Sequence, residues 1–371
     1  MNANGARRPT VWRMALGALR DGGPGICHFS ITNACNARCG FCSFAHDTLP
    51  AESRRWVALE DAKEACDILR RNGIQILHFN GGEPLVHRDL VAMVAHAARI
   101  GMRPALDTNG ALLTERRIDA LMDAGIAKVC ISIDAATSAM HDANRGIHGL
   151  SRRIRRANAL LKRRGISTTA SVTMSRLVDY AALPEHLHDL GFGAVTFSYP
   201  MRTLPSSYLA CREDSTLIDF TVEELNDAFE TVKALSKRFP VQNPLASIED
   251  MQRHLRGEPE MFGCLGGWKY FYLDWNLQLW RCHNWARPLC HIRDFDGSQR
   301  IHDGCTACMI DCYRDDSVMQ HVGIALSDGL RAAAHGNLWQ AWSHWADRRN
   351  MVSIRAAIRT GRLWARAPQE G

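Results

Sequence analysis

Between residues 26 and 199 the chain alternates short β-prone apolar runs with segments of helical periodicity, and this alternation leaves few folds open. Strands are expected at Ile26–Ile31, Ile74–Phe79, Arg103–Thr108, Lys128–Ile133, Ile166–Met174 and Ala194–Tyr199. Helices are expected at Leu59–Arg71, Leu90–Arg99, Thr114–Ala124, Arg152–Arg164 and Leu183–Leu190, with Gly73 and Gly125 as stops. Strands separated by helix-length segments build βαβ units and a parallel sheet. The fold class is therefore α/β. A closed barrel of this kind needs eight strands, and the pattern supplies six.

The flanks read differently. Residues 1–25 form a polar tail with a short helix, Val11–Leu19, ended by Asp21-Gly22-Gly23-Pro24. Residues 200–220 read as a linker, with Pro200, Pro205, Ser206 and Ser207 in quick succession. Within 221–259 a linking helix runs from Thr221 to Arg238, with Thr221 as N-cap and Glu223 and Glu224 in its first turn. Residues 260–325 are rich in Cys and Trp, and Tyr270–Trp280 reads as a hairpin around Asp274-Trp275-Asn276. Residues 326–371 form a helical basic tail.

With 45 basic and 39 acidic residues the net charge is +6, too mild to imply a nucleic-acid partner. No apolar run approaches membrane-spanning length, and no secretory signal follows Arg7, Arg8 and Arg13. Of 13 cysteines, three fall at 35–42 and six at 264–312. Close clustering favours metal over disulfides, and so a reducing, cytoplasmic setting. Cys27, Cys66, Cys130 and Cys211 are isolated and fit small buried apolar roles.

Directly after the first strand, Cys35, Cys39 and Cys42 stand at C-x3-C-x2-C with Phe41 before the last thiol. Structural zinc sites favour C-x2-C pairs and close their shell with four protein ligands. Here three thiols stand together, and His46 reads as a solvated loop residue. Thiolates also hold iron–sulfur clusters, where three ligands leave the fourth iron open. One strand later comes Gly81-Gly82-Glu83-Pro84. Thr108-Asn109-Gly110 follows the third strand; Ser132-Ile133-Asp134 ends the fourth, with Arg145 in the loop beyond.

Together these residues resemble the radical S-adenosylmethionine (SAM) superfamily, whose signature is C-x3-C-x-aromatic-C followed by GGE(P). The resemblance implies a partial (β/α)6 TIM-like barrel with a small Cys-rich C-terminal domain. It implies a [4Fe-4S] cluster on Cys35, Cys39 and Cys42, with SAM chelating the open iron. It places Phe41, Gly81, Gly82, Glu83, Asn109, Ser132 and Arg145 at the cofactor. Gly81, Gly82 and Glu83 would hold the methionine amine, and Arg145 would face the carboxylate; the arginines at 152–156 are rivals for that pairing. The G-x-I-x-G-x-x-E pattern of some members is absent from Ile166–Met174, which leaves the adenine contacts open.

Cys264, Cys282, Cys305 and Cys308 resemble the twitch or SPASM auxiliary-cluster domains of that superfamily. They imply one auxiliary [4Fe-4S] cluster, with Cys312 and Cys290 as alternative ligands and a zinc ribbon as the competing reading. The Trp and Tyr crowd around them reads as core.

In the tail, Trp339, Trp342 and Trp345 recur every three residues, ahead of Arg348, Arg349, Arg355, Arg359, Arg362 and Arg366. The favoured reading packs the stripe on the barrel; the other lays it on a membrane surface. The implied activity is reductive cleavage of SAM to a 5′-deoxyadenosyl radical. That radical takes hydrogen from a peptide or small molecule, with net oxidation or bond formation and an external donor such as flavodoxin or ferredoxin. A SAM-derived transferase acting on a lipid-like acceptor and a non-catalytic Fe–S or zinc module are the competing readings. No acid or base is assigned.

Overall fold

The computed structural model describes residues 20–365 except Ser167. The helix expected at Val11–Leu19 and the residues after 365 lie outside the described residues. In chain order the principal elements are β1 (Gly25–Thr32), α1 (Leu59–Arg71), β2 (Ile74–Gly81), α2 (Leu90–Arg99), β3 (Arg103–Thr108), α3 (Glu115–Asp123) and β4 (Lys128–Ile133). Then come α4 (Ser138–Arg145), α5 (Leu150–Arg163), β5 (Thr168–Thr173), α6 (Leu183–Asp189), β6 (Ala194–Ser198), α7 (Val222–Leu235) and α8 (Leu245–Leu255). The rest is β7 (Tyr270–Leu273), β8 (Gln278–Trp280), β9 (Cys290–His291), α9 (Asp311–Ala334), α10 (Leu338–Trp345) and α11 (Arg349–Ala365).

The strands make one nine-stranded sheet in the order β6-β5-β4-β3-β2-β1-β7-β8-β9. The first six are parallel, as the alternation requires. The hairpin is not a separate sheet: β7 pairs in parallel with β1, Ile26 beside Tyr270 and Phe29 beside Leu273. One face of every barrel strand is apolar. Cys27, Phe29, Ile31, Leu77, Phe79, Leu106, Ile131, Val172 and Phe197 pack there against Ala65, Leu69, Met93, Ile118, Ile154 and Leu187 of the surrounding helices. This shell supplies the main burial. Truncating one of its large side chains to Ala costs about 2–5 kcal/mol. Cys27 and Cys66 belong to the shell, as expected of small apolar residues.

Several segments differ from the sequence reading. Arg145 is not in a loop but is the last residue of α4, a polar helix short enough to escape a periodicity count. Its ends were written in the chain: Thr137 accepts a hydrogen bond from the Met140 N–H, and Gly146 closes the helix at φ 63°. The segment 221–259 holds two helices, α7 and α8, the first opened by a capping box between Thr221 and Glu224. Residues 200–220 are not a free linker, because Leu209 accepts backbone bonds from Ser43 and Phe44 at 3.0 and 3.2 Å. Cys211 is half-buried there, against the first thiol loop. Helix α9 runs unbroken through the expected boundary at 325.

The aromatic stripe also differs from the favoured reading. Trp339 and Trp342 are 81% and 62% exposed. Only the Trp345 indole is seated, against Gly329 of α9, where a Cβ would collide with it. Among the described residues no helix is long and apolar enough to cross a membrane.

Candidate functional site

The first thiol loop leaves the C-terminal end of β1, the edge where open α/β folds carry their sites. Its backbone is tied on three sides. Gly82 and Glu83 donate to the carbonyls of Thr32 and Ala34 at 3.0 and 2.9 Å. Arg38 donates to the Arg145 carbonyl at 2.9 Å, and Gly40 to the Asn144 side chain at 3.2 Å. The third tie is Leu209. A Cβ on Gly81, whose φ is 126°, would collide with the Thr32 carbonyl, and one on Gly82 with that of Ala34. The glycines thus serve a close approach to the thiol loop itself.

Cys39 is buried with Ala37, Phe41 and Ile218, and Cys35 and Cys42 pack against them. Burial pushes the Cys35 and Cys42 thiols up to about 11 and about 12, so both are neutral until a cation displaces the proton. Phe41 lies within this packing, and His46 is exposed.

Glu83 is 1% exposed and accepts from Leu85 N–H (3.0 Å), Thr108 hydroxyl (2.6 Å) and Asn109 N–H (2.7 Å). Burial pushes its carboxyl up, and these donors offset part of that. Asn109 in turn donates to Asn36 of the thiol loop at 2.8 Å. Asp134 takes both arms of Arg145, at 2.7 and 2.5 Å, with Asn144 adding a third bond at 2.7 Å. Burial would raise the Asp134 carboxyl, but Arg145 outweighs it and holds it below the ordinary range. The guanidinium fork is thus engaged beside the loop, while Ser132 sits on the inward face of β4.

The second thiol set is assembled from three places. Cys264 donates its N–H to the Cys305 carbonyl at 2.9 Å, and its thiol, raised first by burial, also feels Cys308, Cys282 and Cys305. Cys312 sits on the first turn of α9, where burial and then Asp311, Asp316 and Asp315 raise it. Cys290, on β9, is raised by burial and then by Asp294 and Asp296. Cys264, Cys308 and Cys312 all pack against the apolar cluster of Cys282, Tyr270 and Tyr313, while Cys290 lies on β9. Among the described residues, only His28, His78 and Asp107 bring three ligand atoms of the Cys, His, Asp and Glu type within 4.8 Å of one another. Four thiolates on one zinc at 2.3 Å would stand about 3.8 Å apart, so neither thiol set is drawn in around a single ion.

Opposite the apolar shell, the strands line an inner face that sequence reading missed. The partly exposed positions recur with period two: His28 on β1, His78 on β2, Asp107 on β3, Lys128 and Ser132 on β4, Ser171 on β5 and Thr196 on β6. These side chains are only partly buried, so the inner face of the sheet is polar rather than a continuous apolar core. His78 Nδ1 lies 3.2 Å from the Asp107 carboxylate, and His28 Nε2 lies 2.7 Å from the Tyr270 hydroxyl. Burial, with help from His78, pushes the His28 imidazole down to about 3, so it is neutral. His283, next to Cys282, stacks on Tyr208 at 4.0 Å and stands 5.7 Å from His28, joining the second thiol set to the lumen. The signal was present in the sequence as single polar residues interrupting apolar strands, in Cys27-His28-Phe29, Leu77-His78-Phe79 and Leu106-Asp107-Thr108.

Residues 29–190 match the model of the radical SAM superfamily. An AdoMet-dependent heme synthase of Oleidesulfovibrio alaskensis is 29% identical over 160 residues, 43% of this chain and 41% of that protein. A PqqA peptide cyclase of Rhodopseudomonas palustris is 26% identical over 258 residues, 68% of this chain and 65% of that protein. The chain thus spans less than two thirds of either relative. Among solved structures, native anSMEcpe with bound AdoMet superposes with a TM-score of 0.55 at 13% identity, covering 93% of this chain and 99% of that one, which shows a shared fold.

Proposed function

From the premise that this chain belongs to the radical SAM superfamily, matched through residues 29–190, we propose that it oxidises or cross-links a peptide or small molecule held in the barrel lumen. One observation carries the reading: three thiols pack together in the loop after β1, beside a partly exposed polar inner face to which a second thiol set is joined by stacked aromatic rings. In this reading Cys35, Cys39 and Cys42 hold the [4Fe-4S] cluster, and Cys264, Cys282, Cys305 and Cys308 hold an auxiliary one. The donor sets fit in kind: each is made only of free cysteine thiols, the ligand type that iron–sulfur clusters take. Together the first cluster and SAM supply the 5′-deoxyadenosyl radical that takes a hydrogen atom from the substrate.

The protein's part is to hold and to exclude. An ammonium only donates, so the methionine amine would be held by oxygen acceptors at this turn, the Glu83 carboxylate among them; the Gly82 and Glu83 N–H groups are spent on the thiol loop. Arg145, fixed by Asp134, sets a positive charge beside the loop for the carboxylate. Asn109 ties the turn after β3 to the loop, and Phe41 packs beneath it. Ser132 lines the inner face. We take 26–220 as the barrel unit and 260–325 as the auxiliary unit, joined edge to edge, with a reduced flavodoxin or ferredoxin as donor. The peptide option draws on the similarity to a PqqA peptide cyclase. The exposed Leu338, Trp339 and Trp342 favour a second reading, a transferase whose tail rests on a membrane beside a lipid-like acceptor.

Anaerobic reconstitution with iron counting, followed by a SAM cleavage assay, tests the proposal. Replacing Cys35, Cys39 or Cys42 by Ala should abolish cleavage. Cys264→Ala or Cys282→Ala should remove about four irons per chain while sparing it. Cleavage that survives loss of the first three thiols would overturn the mechanism, and an adenosylated product would select the transferase.

A further inference from the structure

The lumen holds an arrangement that the cofactors do not account for. His78 has one ring nitrogen committed: Nδ1 faces both oxygens of Asp107, at 3.2 and 3.3 Å. Its other nitrogen, Nε2, has no protein partner and is not among the buried orphan atoms, so it keeps solvent access. The side chains of His78 and Asp107 are 17% and 30% exposed although strands flank both. A carboxylate on Nδ1–H fixes the tautomer that leaves a lone pair on Nε2 and stabilises the imidazolium formed when that lone pair takes a proton.

We propose that His78, oriented by Asp107, is the general base of the lumen, and that the substrate carries a hydroxyl, thiol or amine on the carbon that loses hydrogen. This rests on the oxidative reading above. The carbon gives one hydrogen atom to the adenosyl radical. The adjacent O–H, S–H or N–H gives its proton to His78 Nε2. The remaining electron passes to an oxidised iron–sulfur cluster, for which the second thiol set is the nearby holder. A carbon–heteroatom double bond forms, and the sum is a two-electron oxidation. His78 touches the substrate in this scheme; Asp107 is a positioning residue.

The charged surroundings support a base rather than a metal ligand set. Lys128 from β4 places a cation close enough to act on both Asp107 and His28, which opposes a divalent ion at their centre. His28 from β1 is occupied by Tyr270 through Nε2, and its Nδ1 is sealed from water. Asp316 from α9 lies close enough to act on both His78 and Lys128, giving the imidazolium a second carboxylate.

Tautomer-selective labelling of the reconstituted holoenzyme tests this without a known substrate. Diethyl pyrocarbonate attacks an unprotonated, accessible imidazole nitrogen, and peptide mapping by mass spectrometry locates it. His78 should be labelled and His28 spared. Asp107→Asn, whose amide donates to Nδ1 and drives the proton to Nε2, should slow labelling of His78 at least about tenfold. Asp107→Glu should restore it, which a purely structural role would not produce. An unlabelled His78 in the parent enzyme, or equal labelling in the Asn variant, would overturn the proposal. So would one equivalent of a non-iron metal that is lost in His78→Ala. The wild-type arm needs no variant to fold, and SAM cleavage by the same sample tests the parent reading separately.

Discussion

Replacing Gly82 with Ala perturbs the join between the two motifs with a single methyl group. Its Cβ would lie 2.6 Å from the Ala34 carbonyl carbon, 2.9 Å from the Asn33 oxygen, and closer still to the Ala34 oxygen. Ordinary contact starts near 3.4 Å, so the turn and the thiol loop must part by roughly 1 Å. All three neighbours are backbone, and no side chain can swing aside. Overpacking of this kind costs about 1–3 kcal/mol. The parting also strains the Gly82 and Glu83 bonds to Thr32 and Ala34, each with a net value of about 1 kcal/mol. The sum, about 3–5 kcal/mol, should lower the unfolding midpoint by several degrees in a chain of this size. Function should suffer more, because misplacing a reacting group by about 1 Å costs on the order of 100-fold. Anaerobic reconstitution, iron counting and SAM cleavage measure it. A Gly82→Ala protein with full iron and cleavage within about twofold of the parent would refute the claim that this close approach sets the site.

Four further outcomes follow from buried groups and exposed rings. Asp134→Asn strands Arg145 beside the thiols and should cost about 3–5 kcal/mol in denaturant unfolding at pH 7. Because the folded Asp134 carboxyl lies below its unfolded value, the pair's contribution is complete above about pH 4 and is lost as pH falls further, so the gap between parent and variant should close in acid. Asp316 has the opposite sign: burial pushes it up to about 6, against His78 and Lys128, so its protonated form is favoured by folding and stability falls as pH rises through that value. Asp316→Asn should therefore be the more stable protein above pH 6, by at most about 3 kcal/mol, with no difference below about pH 4. Trp342→Ala should leave thermal stability within about 0.5 kcal/mol, since the ring is 62% exposed, whereas Gly329→Ala should destabilise by displacing Trp345.

The barrel strands and most of its helices were legible because a parallel strand is apolar on its shell side and each crossover helix carries an apolar stripe. The thiol loop and the Gly81–Glu83 turn were legible because their spacing is local. What escaped was set by distant partners. Tyr270-Phe271-Tyr272-Leu273 reads as a hairpin arm; nothing in those four residues says that they pair with β1 rather than with a sheet of their own. Arg145 looked like a loop residue because α4 is eight residues long and buries only His141. The resemblance assigns the glycines at 81 and 82 to the methionine amine, whereas the crowding they relieve comes from Thr32 and Ala34. His78 and Asp107 are single polar residues in separate strands, 29 positions apart. Only folding sets one beside the other, and the sole advance notice was a polar side chain where an apolar one would have been ordinary.

The pairing of β7 with β1 has a mechanical consequence. The strand that feeds the first thiol loop carries, along its other edge, the hairpin that ends at Cys282. Cys282, just past β8, therefore follows a sheet continuous with the strand that feeds the first thiol loop, and the register of that seam sets where it stands relative to the loop. A slip of one residue along that seam would turn Tyr270 and Tyr272 outward and pull Cys282 away in the same movement.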